Sequence, residues 1–473
     1  MKMCDLHTFN IAYRIQAGLM ISISPAACGR WHSPVFMLIP AYFAVYGGAA
    51  ALAVGLHLLL RHRKLQAAEL ALTASRQAGL NEPASLHPVV DPNRCFGSGA
   101  CVKACPEQAL GIVDGKATLV NASACIGHGA CVTACPSQAL SLVFGTAERG
   151  VDIPVLSKEF ETNVPGIFIA GELGGMGLIR KTTEQGRQAM QAMRQRVQQS
   201  RVDTPLDVVI VGAGPAGMSA GLSALHHQLR YAILEQEDAL GGTVYHYPRN
   251  KVVMTAPARL DLIGEMNLGT EVAKESLLSF WQDVVKQTGL RLQLGEKLEG
   301  IDRNADGSFT VRSSQASYHA KAVLLALGRR GSPRKLDVPG EEQAKVVYRL
   351  IDAEQYRGQR VLVVGGGDSA LEAAIALAEE PGTTVALSYR SQAFSRVKDK
   401  NRQKLKQLQD AGRIQVCLQS TVLRIEATQV QLKTPEGERM LPNDTVVVCA
   451  GGVLPTPLLQ AIGIRLETKY GTA

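Results

Sequence analysis

The stretch DVVIVGAGPAGMSAGLSALHHQLRYAILEQE at 207–237 decides the fold. An apolar, β-branched run enters a turn carrying Gly212, Gly214 and Gly217, a helix-forming run follows, and a second apolar run ends at Glu235, 21 residues after Gly214. The glycines permit a tight turn and the close approach of a pyrophosphate to a helix N-terminus, and the acid takes ribose hydroxyls. A lone G-x-G-x-x-G carries little weight. Here strand, helix and acid stand in their places, which a merely structural turn does not require.

A second such unit, RVLVVGGGDSALEAAIALAEEPGTTVALSYRSQAFSRVK, begins at 360, with Gly365, Gly367 and Ala370 at the three small positions. Its second strand ends in Ser388, Tyr389 and Arg390 instead of an acid, with Arg396 and Lys398 close behind. A carboxylate there would repel a 2′-phosphate, whereas arginine pairs with one, so NADPH is preferred over NADH. The bland alternative for these cations is a solvated basic turn.

Two nucleotide units in this order, joined through ALGRRGSPRKLDVPGE at 326–341, resemble the flavoprotein disulfide reductases of the thioredoxin reductase type. The stretch from GGTVYHYPR at 241 through YRLIDAEQYRGQRVLVVGGGDSALEAA is similar to the flavin-dependent bacillithiol disulfide reductases. The resemblance covers about 150–473 and implies FAD at the first unit, with Gly241 and Gly242 near the flavin, and NADPH at the second. No C-x-x-C lies between the PGE turn and the second glycine turn, so a dithiol relay is not expected. In that family VVVCAGGVLPTPLLQAIGIRLE is followed by a T-x-x-P-G-I-F-x-A-G-D segment. Here its counterpart is upstream, FETNVPGIFIAGELGGMGLIRKTTEQGRQAM at 160–190, with Gly171 and with Glu172 in the aspartate's place. The resemblance thus implies a circular permutation, tolerable where termini meet at a surface. QRVQQSRVDTP at 195–205 would be the new linker, and a helix starting near Gly177 and Leu178 would direct its dipole at the flavin.

Upstream of this lie two near-copies, CFGSGACVKACP at 95–106 and CIGHGACVTACP at 125–136. On the frame C-x2-C-x2-C-x3-C-P they offer Cys95, Ser98, Cys101, Cys105 and Cys125, His128, Cys131, Cys135. Only the second slot is altered, and the copying continues into EQALGIV and SQALSLV. A disulfide-stapled domain or zinc knuckle would also use many cysteines, but neither needs the repeated x3-C-P ending. Residues 88–146 resemble a bacterial two-cluster ferredoxin. That resemblance implies crossed ligation, Cys95, Cys101 and Cys135 on one cluster and Cys125, Cys131 and Cys105 on the other. The altered slots leave two outcomes open: three-iron clusters, or 4Fe-4S clusters to which Ser98 and His128 ligate through oxygen and nitrogen.

The 473 residues suit about three domains, and their formal charge of +8 comes with no basic stretch interleaved with aromatics, so no nucleic acid is expected as partner. Six of the ten cysteines belong to the ferredoxin-like repeat, while Cys4, Cys28, Cys417 and Cys449 are scattered, in keeping with a reducing compartment. Residues 34–60 run 27 positions without a charged side chain and are followed at once by RHRK. About 20 apolar residues cross a bilayer, and the basic flank favours a cytoplasmic C-terminal side. A core helix or a signal peptide is the competing explanation.

The expected fold class is α/β: two Rossmann-like dinucleotide-binding domains, for FAD and NADPH, preceded by a ferredoxin-like α+β iron–sulfur domain and one transmembrane helix. The expected organisation is an N-terminal extension 1–33, a transmembrane helix 34–60, a stalk helix 61–87 ended by Pro83, and the ferredoxin-like domain 88–146. A permuted FAD-binding segment 151–194, the FAD domain 205–345, the NADPH domain 346–443 and a return segment of the FAD domain 444–473 follow. Such a chain would pass electrons between NADPH, FAD, two iron–sulfur clusters and a one-electron redox partner protein, anchored single-pass in the lipid bilayer of a bacterial inner membrane with its catalytic domains cytoplasmic and a homodimer allowed for. Hydride transfer needs no acid–base group, so the expected site residues are cofactor contacts. Tyr245 and His246, near the expected flavin edge, read as packing groups. The alternatives are an FAD-dependent reductase of a low-molecular-weight disulfide or persulfide, with auxiliary clusters, and a non-turnover redox sensor.

Overall fold

The computed structural model describes residues 34–473 except 78, 79, 81, 84, 85, 330, 395, 396, 472 and 473. The chain divides into two units, 1–64 and 65–473.

The first unit contributes most of a single uninterrupted helix, Pro34–Gln77. Its part Ala44–Gln77 is, among the described residues, the one helical stretch long and apolar enough to cross a membrane, its most apolar window having mean hydropathy 1.5. Val45, Leu52 and Val54 on it are exposed. The helix ends six positions before Pro83, not at it: the N–H of Leu80 turns back to the carbonyl of Ser75, 2.8 Å away, and the Ser75 hydroxyl donates to the Leu80 carbonyl.

The second unit begins with the cysteine repeat. His87–Val90 pairs antiparallel with Leu140–Val143, and Leu110–Val113 pairs with Lys116–Leu119. Each cysteine run enters a one-turn helix, Ala100–Ala104 or Ala130–Thr133, from a left-handed glycine, Gly99 or Gly129. The copies agree down to their unusual backbone, with Gln108 and Gln138 at φ 50° and 51°.

A six-stranded sheet follows. Its central strand, Ser317–Leu325, has Leu206–Val211 parallel on one edge, and Tyr231–Leu234 lies beyond that. On the other edge its first half pairs antiparallel with Phe309–Ser313 and its last three residues pair parallel with Ile167–Ile169. Ile167, Ile169, Val209, Val323 and Leu325 bury fully on one face, in keeping with parallel strands covered on both sides. The helix Ile179–Gln199 crosses the glycine-turn helix Pro215–His226 so closely that a Cβ on Gly186 would lie 2.0 Å from the Ala216 carbonyl oxygen. Val151–Pro154 forms a ribbon with Leu466–Lys469.

The second nucleotide sheet runs Val346–Val347, Thr445–Val448, Arg360–Val364, Thr384–Tyr389, Ile414–Leu418, all parallel. The return segment expected from 444 therefore starts later. Thr445–Val448 is a wholly buried β-branched run between two parallel neighbours, and the chain leaves this sheet only at Gly452–Val453, which pairs with Ser332–Pro333.

Candidate cofactor sites

At the first glycine turn, Gly212 stands at φ 108°, and a side chain there would meet the Ala326 carbonyl oxygen at 2.6 Å. A Cβ on Gly217 would lie 1.8 Å from the Gly212 carbonyl oxygen, so this turn closes only with glycine. Gly214 caps the helix Pro215–His226 without any side-chain cap, which leaves the first N–H groups directed at whatever binds there. Glu235 is buried, and its carboxylate accepts the Ala213 N–H at 2.7 Å and the Glu237 N–H at 3.2 Å. Burial pushes its pKa up, and these backbone donors offset only part of the rise.

Gly241 and Gly242, both at positive φ, bring a second turn against the first: the Gly241 N–H donates to the Ala213 carbonyl at 3.0 Å, and a Cβ on Gly242 would sit 3.1 Å from the Gly214 Cα. From the upstream segment, the Gly171 N–H donates to Gln185 Oε1 at 3.0 Å, and a Cβ on Gly171 would lie 3.1 Å from that of Ala216. Glu172 faces the position beside Thr243: a Cβ on Gly328 would meet Thr243 Oγ1 at 3.1 Å and Glu172 Oε2 at 3.9 Å. Arg329 was not singled out by sequence reading. It donates to the Asp152 carbonyl at 3.1 Å, and burial lowers its pKa against the pull of Glu172 and Asp152. Its signal was the unabsorbed RR of ALGRRG. Gly171, Gly212, Gly214, Gly217, Gly241 and Gly242 thus come together around the first turn, with Glu235 tied to it through Ala213, and these close glycine approaches fit a dinucleotide.

Tyr245 is partly exposed, while His246 is held by Glu237, whose Oε1 lies 3.3 Å from its Nε2, and by Arg349. Burial and then the Arg349 charge lower the pKa of His246.

At the second turn, Gly365 stands at φ 151°, and a Cβ on it would reach the Cys449 carbonyl oxygen at 2.3 Å and the Ala370 Cβ at 3.0 Å. Gly367 caps the helix Asp368–Glu379 in extended backbone and faces open space. The Tyr389 ring lies on Gly366, where a Cβ would come within 2.1 Å of it, and stacks on Phe394 with centroids 5.3 Å apart. Arg390 is exposed beside this stack, and Arg396 lies outside the described residues.

In the cysteine repeat, Cys95, Cys101, Cys125 and Cys131 are buried, with Cys105 and Cys135 partly so. Burial raises the pKa of Cys101, and the charges of Cys135 and Cys95 add to it. Burial likewise raises Cys131, with Cys125 and Cys105 as the neighbouring charges. The thiols that act on Cys101 and on Cys131 thus differ, and each set includes one cysteine from the other repeat. The Ala117 N–H faces the Cys95 sulfur at 3.4 Å, and those of Ala109 and Ala139 face Cys105 and Cys135 at 3.4 and 3.3 Å, the donors a thiolate or cluster would use. A small cavity lies among Cys105, Cys125, Cys131, His128, Pro88 and Leu142. His128 is exposed at its rim, and the Ser98 hydroxyl takes the Ala100 N–H at 3.4 Å. Among the described residues no three Cys, His, Asp or Glu side chains converge on a single ion, and none of the six repeat cysteines is in a disulfide. Buried thiols met by backbone N–H groups, with no single-ion site among the described residues, fit iron–sulfur clusters better than a lone metal ion.

Outside the repeat, Cys417 lies on the edge strand of the second sheet and Cys449 just past Thr445–Val448, so two strands stand between their positions. Three inter-strand steps of about 4.8 Å separate them, well beyond the reach of a disulfide.

The family model described as pyridine nucleotide-disulphide oxidoreductase matches residues 209–472, more than half of the chain, and that of a 4Fe-4S dicluster domain matches 87–136. A ferredoxin–NADP reductase of Limosilactobacillus fermentum is 32% identical over 247 residues, covering 51% of this chain, which in turn spans only 63% of that relative. One from Lacticaseibacillus paracasei is 30% identical over 280 residues, 56% of this chain and 82% of the relative. The bacilliredoxin reductase Bdr of Bacillus subtilis is 25% identical over 268 residues, 56% and 82% of the two chains. Among solved structures, the bacillithiol disulfide reductase Bdr from Staphylococcus aureus shares the fold at TM-score 0.50 and 22% identity, over 56% of this chain and 82% of that one. The chain belongs to the pyridine nucleotide-disulphide oxidoreductase family and carries a 4Fe-4S dicluster domain on the same polypeptide.

Proposed function

We propose that this chain oxidises NADPH at a flavin and passes the electrons singly, through iron–sulfur centres, to a one-electron redox partner. The carrying observation is the join between the two modules. The Phe144 ring, directly after the strand Leu140–Val143, packs on Gly175 so tightly that a Cβ there would lie 2.4 Å from it, three residues past Glu172. The Gly471 N–H donates to the Phe144 carbonyl at 2.8 Å. This join supports the reading, since it would hold a carrier of single electrons beside the flavin. Relatives are named ferredoxin–NADP reductases, and here a ferredoxin-like module is part of the chain.

In this reading the upstream segment 151–194 is a permuted part of the FAD domain, supported by the parallel pairing of Ile167–Ile169 with Val323–Leu325. Gly212, Gly214, Gly217, Gly241, Gly242 and Gly171 make the close approaches, Glu235 takes the ribose, and Glu172 with Thr243 takes the ribityl side. FAD, once bound, supplies the conversion between an electron pair and single electrons. Gly365, Gly367 and Ala370 seat the NADPH pyrophosphate and Arg390, with Arg396, its 2′-phosphate. Cys95, Cys101 and Cys135 hold one cluster and Cys105, Cys125 and Cys131 the other, with Ser98 and His128 at the altered slots. The helix over 34–60, apolar and followed by Arg61, Arg63 and Lys64, anchors these domains on the cytoplasmic face of a bacterial inner membrane.

The test is a double variant, Cys101→Ala with Cys131→Ala. NADPH should still reduce its flavin, while reduction of a protein acceptor such as a cytochrome collapses. A folded, FAD-loaded, iron-free protein that reduces the cytochrome at the native rate would overturn the electron chain. It would favour the second reading, direct reduction of a low-molecular-weight disulfide or persulfide at the flavin, which the likeness to the Bdr enzymes supports. The distance between Cys417 and Cys449 speaks against a dithiol relay in either case.

A further inference from the structure

The two halves of the cysteine repeat share a backbone but not their surroundings. Gly127, in the second run, lies under Leu86, where a Cβ would meet the Leu86 carbonyl oxygen at 2.7 Å, and Leu86 is buried. The Cys125 thiol reaches the same carbonyl at 4.0 Å. His87, the next residue, pairs with Val143, whose neighbour Phe144 packs on Gly175. The cavity among Cys105, Cys125 and Cys131 has Leu142 in its wall, two residues before Phe144. In the first run, Gly97 instead lies under Gly115, where a Cβ would meet the carbonyl oxygen at 2.2 Å, and Gly115 is the exposed tip of the Leu110–Leu119 hairpin. Phe96 there is 66% exposed, whereas its counterpart Ile126 is half-buried.

We infer that the repeat is ordered: Cys105, Cys125 and Cys131 hold the cluster on the flavin side, and Cys95, Cys101 and Cys135 hold the cluster on the exit side, beneath Phe96 and the hairpin tip. This deepens the electron-chain reading and rests on it. The hydride of one NADPH brings two electrons and leaves NADP⁺. The electrons pass singly along this order, the proton is released to solvent, and two one-electron acceptors of the cytochrome class are each reduced once.

Single variants test the order. Cys101→Ala should lose the exit-side cluster and Cys131→Ala the flavin-side cluster, each retaining about half the iron, with the survivor reducible by dithionite and visible by EPR. After rapid anaerobic mixing with NADPH, the survivor in Cys101→Ala should be reduced within a few-fold of the unmodified rate. The survivor in Cys131→Ala should be at least roughly tenfold slower. Equal rates, or the reverse pattern, overturn the order. An independent readout is a dysprosium chelate added to dithionite-reduced protein, which should speed EPR relaxation strongly for the survivor in Cys131→Ala and weakly for that in Cys101→Ala. Equal or inverted sensitivity also overturns the order. Should a variant lose both clusters, the unmodified protein must show one chelate-sensitive and one shielded signal, and two alike refute the proposal. Failure of NADPH to reduce any cluster in the unmodified protein would sink the electron chain itself, leaving the chelate measurement to judge the placement.

Discussion

The glycine turns at Gly212–Gly217 and Gly365–Ala370 follow one plan of strand, turn and helix, yet they are closed differently. At the first, both flanks are backbone against backbone: Gly217 against the Gly212 carbonyl, Gly242 against the Gly214 Cα, with the buried Glu235 tied to the Ala213 N–H. At the second, Gly365 meets the Cys449 carbonyl as Gly212 meets that of Ala326, but the third small position is Ala370, Gly367 looks into open space, and the Tyr389 ring, a side chain that can turn aside, lies on Gly366. The cation beside it, Arg390, is exposed. A seat sealed by backbone suits a nucleotide that stays, and one covered by a ring and an exposed arginine suits a nucleotide that comes and goes.

The comparison breaks most severely at Gly217. Gly217→Ala places a methyl on the Gly212 carbonyl, and overpacking of this kind costs about 1–3 kcal/mol or more. The purified variant should keep below roughly a tenth of its flavin by absorbance. Gly367→Ala, at the open position of the second turn that corresponds to Gly214, should leave flavin content unchanged. Next in size, Arg390→Ala removes a charged hydrogen-bond partner, a loss of about 1.5–3 kcal/mol, or roughly ten- to a hundredfold. The KM for NADPH should rise by that factor in steady-state assays while that for NADH barely moves. An equal rise for both would mean general damage.

The smallest effect is a pH dependence. The carboxyl of Glu235 titrates above its usual 4.5 because it is buried. In the flavin-free fold its ionised form is therefore disfavoured, and the stability this group lends is present at low pH and lost as pH rises through the raised value. Ribose hydroxyls donate to the ionised form, so FAD binding expels the proton, and FAD affinity should fall as pH drops below that raised value, by at most about tenfold per pH unit. Titrating FAD into apoprotein checks this, and Glu235→Gln should flatten the profile.

Both turns were legible in the sequence because their signals are local: glycine spacing, an apolar strand before and a helix after. Glu172 drew notice only through the resemblance of the run around it, FETNVPGIFIAGE, to a family segment. What escaped depended on tertiary pairing. TVVV at 445–448 reads equally well as the end of one domain or the centre of another, and only its placement between Val346–Val347 and Arg360–Val364 decides. The seating of Phe144 on Gly175 joins an ordinary apolar residue to an ordinary glycine, and neither advertises the other. Arg329 stood in a stretch treated as a connector. The inequality of the two cysteine runs was invisible for a related reason, because the residues that cover one and expose the other, Leu86 and Gly115, lie outside both runs.

The ribbon between Val151–Pro154 and Leu466–Lys469 also sets a schedule for synthesis. Leu466 pairs with Pro154, 312 positions earlier, and Ile167–Ile169 must wait for Val323–Leu325. A chain emerging from the ribosome can fold its cysteine module early, since that module's strands pair within residues 87–143. The strand Leu206–Val211 before the first glycine turn waits for Ser317–Leu325, and the strap beside the iron–sulfur module closes only once Leu466–Lys469 has emerged. Pairings this distant in sequence are slow to form and leave apolar strands exposed meanwhile. Ile167–Ile169, wholly buried in the finished protein, is the segment that waits with its apolar side chains uncovered and most needs shielding during that interval.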